Sequence, residues 1–383
     1  MKVLHIVEAL GGGVTSALRE YISATSRDVE HLVAGRPRPT HGTGDDLGAP
    51  SVGSLPSKRS PLRMVAAVED VVRRTRPDVV HAHSSWAGAY ARASLRVPAE
   101  RVVYTPHCFG FERTDLPRAH RIALYQAEHL LVGPTPRGGG GAPPRPPPPP
   151  PPPPTARPRA PPGGGPPTAG VAAVSPREAA LAGRLGVRRV TYVPQVVSLP
   201  RWVLDERAAL SEQPGERAPR YVTAGRICAQ KDPGFFAETA RELLRSRPDA
   251  EVVWLGGGTP EDEERLRSIG VRVTGWIERA TLLGELARAD VYVHTAAWEG
   301  SPMTVLEAAE LGVPVVARRI AALESLGVRR LEGTPAALAA TAEETAKNPQ
   351  SAGVGLDLTA VHNSTAQREA LLGLYEQVAS SAR

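Results

Sequence analysis

Short apolar runs alternate with longer amphipathic stretches along most of the chain. In the first half, strand-like runs cover residues 2–8, 31–34, 79–83, 102–105 and 171–174. Helical patterns lie between them, one ending near residue 25 and others covering 62–76 and 118–131. The run at 79–83 has almost no polar alternation, which is typical of a strand covered on both faces. This order predicts parallel strands joined by right-handed helical crossovers.

The same rhythm restarts in the second half of the chain. Strands are predicted at 221–224, 251–255, 271–274, 291–294 and 314–317. Helices are predicted near 233–246, 260–269, 279–288, 302–311 and 335–346, with a last one over 364–381. Two such units in tandem predict an α/β protein of two doubly wound, Rossmann-like domains facing a cleft. In sheets of this type, ligands bind at the carboxyl ends of the strands.

The same pattern divides the chain into segments. Residues 1–194 are the predicted N-terminal domain, and residues 220–363 are the predicted C-terminal domain. The polar segment 195–219 between them is interpreted as an irregular linker. Residues 364–383 carry the last helix, which can pack back on the N-terminal domain.

One segment, residues 133–170, interrupts the first domain with a different composition. It holds 18 Pro, 9 Gly and 4 Arg, and the rest of its residues are Ala and Thr. With so little apolar surface to bury, it is predicted to be disordered, with polyproline character in its proline run. A genuine insertion and an out-of-frame stretch of GC-rich coding sequence both account for it. Loop-closure entropy grows slowly with length, so we expect the fold to survive its deletion.

The net charge of +6 is not spread evenly over the predicted domains. Residues 133–170 supply +4, residues 1–132 supply +4 and residues 171–383 supply −2. This distribution argues against nucleic acid as a partner. The basic side chains around one predicted helix favour contact with an anionic membrane or a phosphate-bearing acceptor. A solvated basic surface is the simpler interpretation. The basic residues in and around this helix are Lys58, Arg59, Arg63, Arg73, Arg74 and Arg76.

Two further features bear on where the protein works. No apolar run approaches the ~18 residues that a membrane span needs, and the N-terminus predicts a strand rather than a signal segment. The sequence has only two cysteines, Cys108 and Cys228, and they are far apart. This argues against a disulfide framework or a structural zinc site. We therefore expect a cytoplasmic protein, working there or at the inner face of the membrane.

The segment from Glu299 to Glu307 is the most informative one for chemistry. It follows a predicted strand and opens a helix, whose free N–H groups favour an anion. Gly300 permits close backbone approach, and Ser301 or Thr304 can cap the helix. One carboxylate can then accept from sugar hydroxyls and the other from ribose hydroxyls. A surface acid followed by a helical Glu is the simpler alternative for this spacing alone.

Arg226 and Lys231 form a second candidate. Gly225-Arg226 follows a predicted strand, and Lys231 lies five residues beyond Arg226. Arg offers a planar fork of donors and Lys a compact charge, which together suit a diphosphate. A solvated pair of cations is the alternative for these two residues by themselves.

Together these residues resemble the family 4 retaining glycosyltransferases, which have the two-domain GT-B fold. The resemblance covers nearly the whole chain except 133–170. It is carried by Gly11-Gly12-Gly13, Thr105-Pro106-His107, Gly225-Arg226 with Lys231, Thr274-Gly275-Trp276-Ile277 and the block Glu299–Glu307. The chain departs from the family pattern at Gln195-Val196-Val197, where many members carry Asn-Gly, and in a short region after Arg319.

The resemblance implies roles for the matched residues. Arg226 and Lys231 would neutralise the departing diphosphate, and Glu307 would hold the ribose. Glu299 would hold the donor-sugar hydroxyls, and His107 would donate a hydrogen bond to the reacting sugar, so these two are the expected catalytic residues. The remaining expected donor contacts, largely through the backbone, are Gly12, Gly13, Trp276, Ile277, Gly300, Ser301, Pro302, Met303 and Thr304.

The resemblance further implies transfer with retained anomeric configuration, without a metal or cofactor. Arg226 and Lys231 would stabilise the leaving group in place of a cation. The donor would be a nucleotide sugar, with UDP the expected nucleotide, and the acceptor a lipid-linked or small molecule. Cell-surface polysaccharide, glycolipid and secondary-metabolite biosynthesis all stay open. His81 and His83, at the same cleft edge, are interpreted as structural.

Three other functions stay open from the sequence. A nucleotide-sugar epimerase would share the two-domain plan, but no dedicated acid–base pair is evident for it. A Rossmann oxidoreductase is disfavoured, since the run from Gly11 to Ser16 does not fit G-x-G-x-x-G. An inactive binding protein would result if residues 133–170 disrupted the acceptor side.

Overall fold

A computed structural model describes residues 1–37, 47–56, 60–94, 96–132, 169–211, 217–348 and 362–381. Nearly all of the segment 133–170 and the basic residues Lys58 and Arg59 lie outside these ranges, so the predictions made for them stay predictions. The described residues form two parallel sheets, each covered by helices on both faces.

The N-terminal sheet has seven strands in the order β3-β2-β1-β4-β5-β6-β7. Its strands are β1 (Lys2–Leu10), β2 (Glu30–Pro37), β3 (Ser51–Gly53), β4 (Val79–His83), β5 (Val102–Thr105), β6 (Gly170–Ala173) and β7 (Val190–Tyr192). Its helices are α1 (Gly13–Thr25), α2 (Pro61–Thr75), α3 (Ser85–Ala93), α4 (Arg118–Val132) and α5 (Pro176–Arg184). Every residue of β4 is buried, as expected for a central strand covered on both faces.

The C-terminal sheet has six strands in the order β10-β9-β8-β11-β12-β13. Its strands are β8 (Arg220–Ala224), β9 (Glu251–Leu255), β10 (Arg272–Val273), β11 (Val291–His294), β12 (Val315–Arg318) and β13 (Leu331–Glu332). The helices are α6 (Arg201–Ser211), α7 (Pro233–Ser246), α8 (Pro260–Arg267), α9 (Arg279–Ala287), α10 (Met303–Glu310), α11 (Ala321–Ser325) and α12 (Pro335–Lys347). In both sheets the strand order reverses beside the first strand, which creates the crevice where doubly wound sheets bind ligands.

The segment expected to be an irregular linker contains helix α6, so that expectation is wrong for residues 201–211. Val203 of α6 is fully buried and packs in the core of the C-terminal domain. Arg207 donates to the carbonyl oxygens of Ala287 and Ala289 at 3.1 and 3.0 Å. The sequence pattern hid this helix because it buries little apolar surface and is held largely by these polar contacts.

The last helix, α13 (Ser364–Ser381), returns to the N-terminal domain. Its buried residues Leu371, Leu374 and Tyr375 pack against the N-terminal sheet, including Val79 and Val103. The chain therefore crosses between the domains twice. None of the helices in the described ranges combines the length and hydropathy that a membrane span requires.

Candidate functional site

The carboxyl ends of the two sheets meet at two glycines. A Cβ placed on Gly300 would lie 2.8 Å from the backbone nitrogen of Cys108 and 2.9 Å from the carbonyl carbon of His107. A Cβ placed on Gly13 would lie 3.5 Å from Cγ of Met303. Only a residue without a side chain allows the loop before α10 to approach His107 this closely. The loops after β1, β5 and β11 thus form one site between the domains.

An ion pair between Lys231 and Glu299 lies on the C-terminal side of this site. Lys231 Nζ is 2.5 Å from Glu299 Oε1, and the side chains are 18% and 8% exposed. Burial alone would raise the pKa of Glu299, but the Lys231 ammonium outweighs it and, with His294, holds that pKa at about 2. Glu299 is therefore a carboxylate at neutral pH, an acceptor for hydroxyl groups, and Lys231 is the cation beside it.

Two glycines position Lys231. The aliphatic stem of Lys231 crosses Gly225, where a Cβ would lie 2.8 Å from its Cε. The backbone of Gly225 lies against Gly256, which has φ 138°, and a Cβ on Gly256 would overlap the Gly225 carbonyl oxygen. Trp254 Nε1 donates to that same oxygen at 2.8 Å. The turns after β8 and β9 therefore form one tightly packed unit beneath the cation.

Replacing Gly256 with Ala is expected to displace this unit. The new methyl group meets backbone atoms and the residue sits at positive φ, so we expect a loss of about 2–4 kcal/mol in unfolding free energy together with weakened anion binding. Chemical denaturation and calorimetric titration with a nucleoside diphosphate measure the two effects. Gly183→Ala is the matched control, since Gly183 lies in α5 with open space around its Cβ position. Equal behaviour of the two variants would contradict the role given to Gly256.

Arg226 is exposed at the end of β8. No hydrogen bond or ion pair joins it to another residue within the described ranges, whereas arginines such as Arg220, Arg279 and Arg318 are paired there. Arg226 directly follows Gly225 and lies five residues before Lys231, so its unpaired guanidinium is available to an anionic ligand near that cation. The structure thus places one paired cation, Lys231, and one unpaired cation, Arg226, beside the same turn.

Glu307 lies on the first turns of α10 and is buried. Its carboxylate forms an ion pair with Arg279, the first residue of α9, whose side chain is 29% exposed. Sequence reasoning missed Arg279, because it does not belong to any of the motifs. To hold a ribose, the Glu307 carboxylate would accept hydrogen bonds from the ribose hydroxyls while the Arg279 guanidinium compensates its negative charge.

The start of α10 differs from the capping expected for it. Pro302 occupies the N-cap position, and no side chain caps the helix. Ser301 Oγ is buried without a hydrogen-bond partner in the described residues, while Thr304 Oγ1 accepts from the Tyr292 hydroxyl at 2.7 Å. Neither Ser301 nor Thr304 therefore caps the helix, because Pro302 occupies the N-cap position and Thr304 lies inside the helix, where it accepts from Tyr292. Pro302 has no N–H, so backbone donation in this loop falls to its neighbours, Met303 among them.

Trp276 and Ile277 follow β10, and they differ in their exposure to solvent. Trp276 is 42% exposed and its indole lies over Gly257, where a Cβ would be 3.0 Å from Nε1. Ile277 packs against the core of the C-terminal domain. The exposed indole and the glycine loop under it offer a flat surface at the outer end of the site.

His107 is held in an unusual backbone conformation. Its φ is 53°, and that of Cys108 is 101°, both in a region that non-glycine residues rarely adopt. The Glu178 carboxyl accepts from Cys108 N at 2.8 Å and from Val174 N at 3.0 Å. Burial raises the pKa of Glu178 to about 8 despite these two bonds. Glu178 therefore fixes the turn that carries His107.

Behind His107 lies a cluster of buried histidines. His5 and His31 are on β1 and β2, while His81 and His83 point from the same face of β4. Burial lowers the pKa of His107 and of His31 to about 4, and lowers that of the other three well below 6.5. All five are thus neutral at pH 7. The sequence showed a histidine in each strand, but only the strand register brings them together.

The glycine run from Gly256 to Gly258 was also missed, although it left a signal. It directly follows β9 and precedes Thr259, whose hydroxyl caps α8 by accepting from Asp262 N at 3.2 Å. A strand, a glycine run and a capped helix in succession are typical of an anion-binding turn.

Comparison with known proteins agrees with this architecture. Residues 218–348 match the model of the family described as glycosyl transferases group 1. The structure of Anabaena HepE in complex with UDP-glucose superposes with a TM-score of 0.64 at 16% sequence identity, covering 100% of this chain and 99% of that one. The fold is therefore the GT-B fold, and the predicted fold class is confirmed.

Two curated relatives are similar to parts of the chain. The UDP-Gal:α-D-GlcNAc-diphosphoundecaprenol α-1,3-galactosyltransferase of Escherichia coli is 28% identical over 109 residues, 26% of this chain and 28% of that protein. A lipopolysaccharide core biosynthesis mannosyltransferase of Rhizobium meliloti is 31% identical over 125 residues, 30% of this chain and 36% of that protein. The chain thus matches about a third of the length of these relatives. The family match and these relatives support the predicted enzyme class, a glycosyltransferase.

Proposed function

We propose that this protein transfers a sugar from a nucleotide-sugar donor to a saccharide acceptor, with retention of anomeric configuration and without a metal. The observation that carries the proposal is the group of charges at the carboxyl ends of β8 and β11. Lys231 and Arg226 lie there with Glu299, and Gly300 brings them against His107 of the other domain. A diphosphate and a sugar need this combination of two cations and a hydroxyl acceptor.

The proposed reaction breaks the bond between the anomeric carbon and the diphosphate oxygen. Arg226 and Lys231 stabilise the negative charge that develops on the departing phosphate, which is the role of a metal ion in other transferases. The acceptor hydroxyl forms the new bond on the same face of the sugar, and its proton goes to the leaving phosphate oxygen. Retention and membership of family 4 rest on the resemblance of the motifs.

The relatives indicate the classes of donor and acceptor. The Escherichia coli relative is named for a UDP-sugar donor and a lipid-linked acceptor, and the HepE structure contains UDP-glucose. We therefore propose a UDP-sugar as the donor and a saccharide of cell-surface polysaccharide or glycolipid biosynthesis as the acceptor. An epimerase is the weaker alternative, because the matched family is one of glycosyl transferases.

Peripheral contact with the inner face of the membrane, through the N-terminal domain, is a further part of the proposal. Leu62 is 86% exposed on α2 beside Arg63, which supports it. Asp70 weakens the basic face, since it pairs with Arg73 and Arg74 at 2.6 and 2.9 Å. Sedimentation with vesicles containing anionic lipid tests this contact.

The decisive experiment is a binding screen across UDP-, GDP- and dTDP-sugars, followed by mass analysis of the product formed with an acceptor extract. We expect a UDP-sugar to bind, transfer to depend on the acceptor, and a metal chelator to leave the rate unchanged. Exchange of the sugar C2 hydrogen with deuterated solvent, without transfer, would identify an epimerase instead.

Arg226 provides the sharpest test of the diphosphate site. Since its side chain is exposed and unpaired in the described structure, Arg226→Ala is expected to reduce kcat about 10²-fold while changing the unfolding free energy by less than about 0.5 kcal/mol. Arg241→Ala is the matched control, because Arg241 is exposed on α7 away from the cleft loops. If both variants turn over at the wild-type rate, Arg226 does not bind the leaving group.

A further inference from the structure

Four histidines form a continuous hydrogen-bonded chain that begins at His107. His107 Nε2 lies 3.1 Å from His83 Nδ1. His83 Nε2 lies 3.0 Å from His5 Nδ1, and His5 Nε2 lies 2.9 Å from His31 Nδ1. The chain ends where His31 Nε2 lies 2.9 Å from Thr25 Oγ1. Every link joins an Nε2 atom to the Nδ1 atom of the next ring, except the last, which reaches a hydroxyl.

The Thr25 end of this hydrogen-bonded series determines which nitrogen donates in each bond. Thr25 Oγ1 is 2.7 Å from the carbonyl oxygen of Tyr21. A carbonyl has no proton, so the Thr25 hydroxyl donates to it and has only a lone pair left for His31. His31 Nε2 must therefore carry a proton.

This direction passes from ring to ring because each imidazole is neutral and holds a single N–H. With His31 protonated on Nε2, its Nδ1 accepts, so His5 donates from Nε2. By the same argument His83 donates from Nε2 to His5, and His107 donates from Nε2 to His83. The low pKa values of these buried rings agree with a neutral chain.

We propose that Thr25, His31, His5 and His83 are positioning residues that hold His107 as its Nε2–H tautomer, leaving Nδ1 as a lone-pair acceptor. His107 then accepts a hydrogen bond from a hydroxyl of the donor or acceptor sugar. This differs from the sequence-based expectation that His107 donates to the substrate. The kinetic consequence rests on the proposed sugar transfer, whereas the tautomer itself does not.

A metal site is the other use of this cluster, and the geometry opposes it. Ligand atoms of His5, His81 and His83 lie within 4.8 Å of one another. However, both ring nitrogens of His81 already have partners at 2.7 Å, the Tyr375 hydroxyl and Thr105 Oγ1. The rings of His81 and His83 are stacked, with centroids 4.2 Å apart, so their lone pairs do not converge on one point.

The test is a long-range ¹H–¹⁵N correlation spectrum of the histidine-labelled full chain at pH 7.5, which distinguishes protonated from bare ring nitrogens. We expect His107, assigned by the signal lost in His107→Gln, to show a protonated Nε2 and a bare Nδ1. Thr25→Val removes the acceptor for His31 and allows the chain to reverse, so His107 should shift toward the Nδ1–H form. Thr25→Ser keeps the hydroxyl and should retain the wild-type tautomer.

Thr239→Val is the matched control. Thr239 is likewise buried in a helix, and its hydroxyl donates to the carbonyl of Phe235 at 2.9 Å without touching a histidine. We expect turnover to fall about three- to tenfold in Thr25→Val, the size of one lost hydrogen bond, and to be unchanged in Thr25→Ser and Thr239→Val.

Three results would overturn the proposal. They are an Nδ1–H tautomer of His107 in the wild-type protein, an unchanged tautomer in folded Thr25→Val, and one equivalent of bound zinc in the purified chain by elemental analysis. The spectra need no substrate, so their outcome is independent of whether the protein transfers a sugar. A correct tautomer without transfer activity would count against the proposed function alone.

Discussion

Lys231→Ala is expected to reduce turnover by about 10²–10³-fold, the effect of removing one preorganised charge from a developing oxyanion. The same change should lower the unfolding free energy by about 3–5 kcal/mol, because the buried Glu299 carboxylate loses its cation. Steady-state kinetics and denaturant unfolding measure the two effects separately. Turnover that stays at the wild-type level would remove Lys231 from the site.

A double variant separates the catalytic effect from the loss of stability. In Lys231→Met with Glu299→Gln both buried charges are absent, so most of the lost stability should return while turnover stays low. Lys347→Ala is the control for removing a lysine, since its ion pair with Glu343 spans 4.0 Å and its side chain is 61% exposed. Recovery of turnover in the double variant would show that Lys231 acts only on folding.

Mild acid is expected to destabilise the N-terminal domain strongly. Burial lowers the pKa values of five clustered histidines below 6.5 in the folded state. Between pH 6.5 and about 4, the unfolded chain therefore binds protons on these histidines that the folded chain does not bind. Stability therefore falls as pH falls, by about 1.4 kcal/mol per histidine from pH 7.5 to 5.5, or about 7 kcal/mol in all. Glu178, with its raised pKa of about 8, gains a proton in the folded state first and offsets about 2 kcal/mol.

The net loss, about 5 kcal/mol by pH 5.5, is a large part of the stability of an ordinary domain. Denaturant unfolding at a series of pH values measures it. His31→Gln should reduce the loss between pH 7.5 and 5.5 by about 1.4 kcal/mol, or about 0.7 kcal/mol per pH unit, whereas His120→Gln, at an exposed position, should leave the loss unchanged. A wild-type stability that is flat from pH 7.5 to 5.5 would contradict neutral burial of the cluster.

The sequence predicted much of this architecture because its elements have strong local signals. Buried parallel strands such as β4 appear as continuous apolar runs, and helices such as α7 open with a capping Asp232 followed by a proline. The helix α6 was not predicted, because it is held by Val203 and by Arg207 rather than by a wide apolar face.

Local sequence patterns alone predict the fold class and the charged candidates of the site: Arg226, Lys231 and Glu299 after strands, and Glu307 on the helix that follows. These follow from periodicity and from motif spacing, both of which are local. The partners of these charges, such as Arg279 for Glu307, depend on how distant elements pack in the folded protein. The tertiary structure also decided that histidines from β1, β2 and β4 meet behind His107, because strand order and register set distances that no spacing along the chain encodes.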